Sequence, residues 1–79
     1  MKLSVIICTG GRPKELKQCL ASLKKQSFKD FETLIIRETP LVKARDLGWR
    51  RAKGEIVAWI DDDAAADKDW AKNLVSIFV

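Results

Sequence analysis

Hydrophobic positions along this chain alternate between two rhythms. Leu3-Ser4-Val5-Ile6-Ile7-Cys8 is a nearly unbroken apolar run rich in β-branched residues. Such a run predicts a strand covered on both faces, as in a parallel sheet. Thr9-Gly10-Gly11 breaks it, and Pro13 stands where a first helical turn tolerates a missing N–H. Leu16, Cys19, Leu20 and Leu23 then recur at helical spacing, with Lys14, Lys17, Gln18, Lys24 and Lys25 on the other side. The stripe fades near Gln26-Ser27.

The same alternation continues to the end. Thr33-Leu34-Ile35-Ile36, led in by Phe28 and Phe31, predicts a second buried strand that Thr39-Pro40 ends. A second helix is expected over residues 41–53, burying Leu41, Ala44, Leu47, Gly48 and Ala52, with Gly54 as its C-terminal cap. Glu55-Ile56-Val57-Ala58-Trp59-Ile60 predicts a third strand that runs straight into Asp61-Asp62-Asp63. A third helix is expected over residues 67–78, with Trp70, Leu74, Ile77 and Phe78 on its apolar side.

The order β-α-β-α-β-α, with connections long enough for crossovers, predicts an α/β fold. We expect one domain over residues 1–79: a three-layer, three-stranded parallel sheet of order 2-1-3, with helices on both faces. In that order the C-terminal ends of strands 1 and 3 diverge at a switch point, where open α/β sheets bind ligands. Thr9-Gly10-Gly11 and Asp61-Asp62-Asp63 fall at that crevice.

Composition narrows the partners. The chain has 79 residues, 47% hydrophobic and 33% charged, which reads as a small globular domain. No apolar run approaches the ~18–20 residues of a membrane span, and the N-terminus carries no signal-peptide pattern. Fifteen Lys and Arg against eleven Asp and Glu give a net charge of +4. A basic surface favours phosphates or acidic headgroups, so peripheral membrane contact is an expectation; solvated helix faces are the plain alternative. A nucleic-acid role is not expected, since no aromatic platform lies among the basic residues. Cys8 and Cys19 have no metal-ligand spacing and read as buried free thiols of a reducing compartment, here the cytoplasm. The apolar ending Ser76-Ile77-Phe78-Val79 points to a fragment or to a surface that meets a partner, and open sheet edges make a homo-oligomer plausible.

The aspartates carry the chemistry. Adjacent carboxylates repel, so a triplet costs stability unless something offsets its charge. On an extended chain Asp61 and Asp63 point to one side and suit a hard divalent cation, Mn²⁺ or Mg²⁺. Helix capping is the alternative use of one such acid. Thr9-Gly10-Gly11 fits both a plain turn and a close backbone approach to an anion at a helix N-terminus. Lys43 and Arg45 lie within reach of a diphosphate or are simply solvated charges.

Together these segments resemble the N-terminal half of family-2 glycosyltransferases. Val5 to Pro13, VIICTGGRP, is similar to an opening strand of the form V-I-I-P-T-Y-N-R-P. Leu16 to Phe31, LKQCLASLKKQSFKDF, resembles the first helix and its Q-[ST]-[FY]-x-[DN]-[FW] ending. Ala44 to Gly48, ARDLG, resembles A-R-N-x-G, and Ala52 to Asp63, AKGEIVAWIDDD, resembles A-x-G-[ED]-[YI]-[IV]-x-[FW]-[LI]-D-x-D. The resemblance implies a GT-A fold that binds a nucleotide-diphosphate sugar and transfers the sugar to an acceptor, here unknown. It implies that Asp61 and Asp63 hold the metal, that Asp62 lies near the ribose or sugar, that Thr9, Gly10 and Gly11 lie against base and ribose, and that Arg45 lies near the donor.

Three departures qualify it. Arg37 and Glu38 stand where acids usually follow strand 2, leaving Glu38 as the candidate base contact. Only Glu38-Thr39-Pro40 separates strand 2 from the ARDLG segment, so a helix and strand are missing. Gly10-Gly11 replaces a Tyr-Asn pair, removing a ring that would stack on the base. The general base belongs to a C-terminal half that these residues do not include. A non-catalytic nucleotide- or metal-binding module is the alternative. A receiver-like fold fits less well, since it needs acids where strand 1 here ends in Cys8-Thr9.

Overall fold

The computed structural model describes residues 1–78. Its elements are β1 (Leu3–Cys8), α1 (Pro13–Lys24), β2 (Phe31–Ile36), α2 (Leu41–Arg51), β3 (Ile56–Trp59) and α3 (Trp70–Ile77). The strands form one sheet of order β2-β1-β3. Both pairings are parallel, with Leu3 opposite Phe31 on one side and opposite Ile56 on the other. The α/β fold and the 2-1-3 order expected from the sequence are therefore present.

β1 is apolar because it is central. Leu3, Val5, Ile6 and Ile7 are all fully buried. Alternation sends Leu3, Val5 and Ile7 to one face, against Leu16, Cys19 and Leu23 of α1 and Ala71 and Val75 of α3. Ile6 points the other way, with Ile36 and Ala44 of α2. Burying each such aliphatic side chain contributes about 1.5–3 kcal/mol, so β1 is the strand whose alteration this small domain tolerates least. α2 packs closely at Gly48, where an added Cβ would stand 2.7 Å from Cγ2 of Ile6.

Several local expectations are corrected. α3 begins at Trp70 rather than at residue 67 and buries Ala71 and Val75; Ile77 and Phe78 are 76% and 63% exposed. Trp70 and Leu74 are half-buried against the core as expected, but the apolar residues of α3 outnumber the positions that face the sheet, so helical spacing misassigned Ile77 and Phe78. Val79, the last residue of the apolar ending, lies outside the described residues. Leu41 is exposed in the first turn of α2, and Cys8 is half-buried, whereas Cys19 is buried as expected. Gly54 is not a helix cap. α2 closes at Ala52, and Gly54 crosses β1 so tightly that a Cβ would stand 2.6 Å from backbone atoms of Leu3 and Ser4.

Two polar links fix the segments around the sheet. At the end of α1, fully buried Gln26 donates from Nε2 to the carbonyls of Ser22 and Asp67, and its Oε1 accepts the amide of Ala71 at 2.8 Å. Asp69, the residue before α3, makes no side-chain cap. Gln26 thus satisfies a first-turn donor of α3 from another element. Ser22 Oγ accepts the Ala66 amide at 2.9 Å, and the Ser27 amide donates to the Lys68 carbonyl at 3.0 Å. The Q-S-F stretch is therefore the clamp that holds the chain between β3 and α3.

The second link ties β1, β2 and the α2–β3 turn. Buried Ser4 donates to Oε2 of Glu32 and accepts the Gly54 amide at 2.8 Å, while the Lys53 amide donates to the same Glu32 oxygen at 2.7 Å. The Glu32 carboxyl is held below the usual carboxylate range, first by the Ser4 hydroxyl and then by the Lys53 amide. A folded-state pKa below the unfolded one adds stability above the unfolded value, about 4.3, and that stability disappears as pH falls through the folded value. The urea midpoint should therefore fall as pH is lowered from about 4.3, and Glu32→Gln should flatten that part of the profile. An acid limb unchanged in Glu32→Gln would show that this contact does not set it.

Candidate functional site

The C-terminal edge of the sheet is where the loops after β1 and β3 meet. The Thr9 amide continues the β1–β2 ladder by donating to the Ile36 carbonyl at 3.0 Å, and the Ile60 amide continues β1–β3 by donating to Ile6 at 3.1 Å. Beyond those bonds both chains turn. Thr9 Oγ1 then donates to Asp62 Oδ2 at 2.8 Å. Both residues are buried. A buried carboxylate is costly unless it is hydrogen-bonded and paired, and this one has both supports, since Arg12 Nη1 stands 3.9 Å from its other oxygen.

Residues 61–64 do not continue the strand. The Ala64 amide donates to the Asp61 carbonyl at 3.1 Å and closes a turn. The alternation that would align Asp61 with Asp63 needs an extended chain, so it does not operate here. Asp61 is exposed, and its carbonyl accepts from the Cys19 thiol at 3.6 Å. The acids that close on a common point are Asp62 and Asp63: Arg12 Nη1 lies 3.0 Å from Asp63 Oδ2, bridging the pair. Among the described residues no group of three or more Cys, Asp, Glu or His side chains converges to hold a metal.

The turn is set apart from α3. Asp67 and Asp69 supply the local bonds before that helix, with the Asp69 amide on Asp67 Oδ2 at 3.2 Å and the Ser27 hydroxyl on Asp69 Oδ1 at 2.6 Å. Capping of α3 is thus no use for Asp61, Asp62 or Asp63. The acids also act on α1: burial first, then the charges of Asp62 and Asp63, push the Cys19 thiol up, so it stays protonated. Cys8 is likewise pushed up by burial, with Arg45 opposing.

The remaining expected site residues spread around this edge. Gly10 and Gly11 are exposed on the loop between Thr9 and Arg12, with open space around both; Gly11 has φ of 116°, a conformation other residues rarely adopt. Arg45 stands on α2 near enough to bear on Cys8. Glu38 lines a separate shallow concavity with Val42, Lys43 and Asp46, and among the described residues no side-chain hydrogen bond or ion pair joins it to the acid turn. A larger groove of about 980 Å³ runs from Gly11 and Arg12 along α1 over Leu16 and Leu20 to Phe31. It contains neither Thr9 nor the acids, and the convergence of polar groups, not cavity size, marks the site. Arg12 was not singled out from the sequence. The signal was available: three adjacent acids require a neighbouring positive charge, and Arg12 is the cation of the facing loop.

The fold and this edge define an α/β domain with a polar crevice at its switch point. The family model described as glycosyl transferase family 2 matches residues 36–79, more than half of the 79-residue chain. The chain therefore belongs to glycosyl transferase family 2, and glycosyl transfer is its activity at the family level. The match starts at the last residue of β2 and takes in α2, β3 and the acid turn. No curated protein matches the chain. Among the described residues no helix is long and apolar enough to cross a membrane.

Removing the Thr9 hydroxyl should leave Asp62 buried with one support fewer. Thr9→Val is expected to lower unfolding free energy by about 1–3 kcal/mol in urea melts, and Thr9→Ser to retain most of it. Equal stability in all three proteins would contradict a structural role for this bond.

Proposed function

We propose that this chain binds the donor for glycosyl transfer, a nucleotide-diphosphate sugar, through a divalent cation at the acid turn. The observation that carries the reading is the convergence of Asp62 and Asp63 on one positively charged group at the sheet's switch point. A guanidinium bridging two carboxylates marks a place where positive charge is favoured. Mg²⁺ or Mn²⁺ fits such a place, because these ions take one or two carboxylates and complete their shell with water and substrate phosphates. Two protein carboxylates therefore suffice. Asp62 and Asp63 are the proposed ligands, and Asp61, exposed on the same turn, is the further acid that the family pattern assigns to the cation.

The cation's chemistry, when bound, is to neutralise charge on the leaving diphosphate. The chain's own residues position the donor. Thr9 fixes the Asp62 carboxylate, so one ligand is oriented before the donor arrives. Gly10 and Gly11 present bare backbone beside it, for ribose and base. Arg45 supplies positive charge from α2, and Glu38 is the candidate contact for the base. The acceptor and its general base are not assigned to residues of this chain.

The Arg12 pairing also favours a second reading, in which the turn is internally neutralised and the chain is a non-catalytic module. Calorimetric titration of uridine and guanosine diphosphates, with and without Mn²⁺, separates the two. The donor-site reading expects binding that requires Mn²⁺ and weakens by about tenfold or more in Asp63→Ala, the scale of losing one charged contact. Binding indifferent to Mn²⁺ and to Asp63 would favour the second reading. A donor-hydrolysis assay on the same protein distinguishes an enzyme from a binding module.

A further inference from the structure

Arg12 sits between two roles. Its guanidinium bridges Asp62 and Asp63, and among the described residues it makes no other hydrogen bond or ion pair. Its side chain is 59% exposed and that of Asp63 50%, whereas that of Asp62 is 11%. The contact to Asp63 is thus a solvent-screened pair of low strength. Asp62 does not depend on Arg12 for its place, since Thr9 holds it.

We propose that Arg12 is an exchangeable counter-ion of the acid turn: it neutralises Asp62 and Asp63 in the free protein and turns to the donor's diphosphate oxygens once a divalent cation occupies that pair. The inference rests on the donor-site reading above. A guanidinium and a divalent cation repel at close range, so they compete for the same carboxylates. Arg12 therefore gives way as the cation arrives. Its loop permits this, because Gly10 and Gly11 precede it as exposed glycines with open space where a Cβ would stand. Its destination follows from chemistry. Arg12 is the residue immediately before α1, whose N-terminus favours anions. A guanidinium also pairs two phosphate oxygens at once, which a lysine ammonium does not.

The exchange has a measurable signature, since one residue opposes the cation and favours the nucleotide. Arg12→Gln should bind Mn²⁺ alone more tightly than wild type, by about three- to fivefold, the scale of one exposed ion pair removed. In saturating Mn²⁺ it should bind uridine diphosphate about tenfold more weakly. Arg12→Lys should fall between the two, because it keeps the charge and loses the fork. Mn²⁺ binding is read from the electron paramagnetic resonance signal of the free ion, and nucleotide binding by calorimetry.

Arg50→Gln is the control. It removes the same charge from the Asp46 pair on α2 and should leave both affinities unchanged. If Arg12→Gln binds Mn²⁺ no more tightly than wild type while Asp63→Asn loses it, the site stands and the exchange is overturned. An equal gain in Arg50→Gln also overturns it, since net charge would then explain the effect. Absence of Mn²⁺ binding in every protein overturns the donor-site reading and the exchange together.

Discussion

The buried hydrogen bond from the Thr9 hydroxyl to the Asp62 carboxylate, with the exposed Arg12–Asp63 pair outside it, joins the two loops on which this site depends. The loops leave the sheet from neighbouring strands and run to different helices, and the sheet's order alone does not bring their side chains together. The bond does so 53 residues apart in sequence. It also orders the energetics. A buried carboxylate calls for hydrogen bonding and for a positive charge beside it. Arg12 meets the requirement from within the chain.

The scaffold behind this bond is rigid for reasons of packing. β1 carries apolar side chains on both faces and anchors β2 and β3 at once, so the loops after β1 and β3 have fixed starting points. Gly54 brings the α2–β3 turn against β1 at a distance that no Cβ permits. Gln26 secures the far side of the acid turn by bonding both the Asp67 carbonyl and the first turn of α3. Clamped at β3 and again at Asp67, the turn buries Asp62 against Thr9 and leaves Asp61 and Asp63 exposed.

Much of this was legible in the sequence. The unbroken run Leu3–Cys8 read as a strand covered on both faces, and it is the central one. The crossover spacing gave a parallel sheet, taking strand 1 as central gave the order 2-1-3, and the switch-point rule located the loops of interest. What spacing could not show was local backbone. Asp61 to Asp63 read as an extended continuation of β3, whereas a turn closed by the Ala64 amide redirects them. Gly54 looked like a cap because it follows a helix, but its neighbour across the sheet dictates it. Trp70, Leu74, Ile77 and Phe78 formed a credible stripe; Trp70 and Leu74 do pack against the core, but Ile77 and Phe78 are exposed and the fully covered positions of α3 are the smaller Ala71 and Val75. The partner of the acids was missed for another reason: Arg12 lies in a separate loop, and the charge balance shows only when the two loops of the switch point are set side by side.

Membership of glycosyl transferase family 2 sets the general activity, and the geometry narrows the proposal to one edge of the sheet. The most direct measurement is a Mn²⁺ titration of isotope-labelled protein followed by amide NMR, since the paramagnetic ion broadens signals near where it binds. The account predicts early and selective broadening of residues 9–12 and 61–64, with Glu32 and Gly54 at the opposite end of the sheet unaffected. Broadening centred instead on Asp67 and Asp69, or spread evenly over the surface acids, would contradict it.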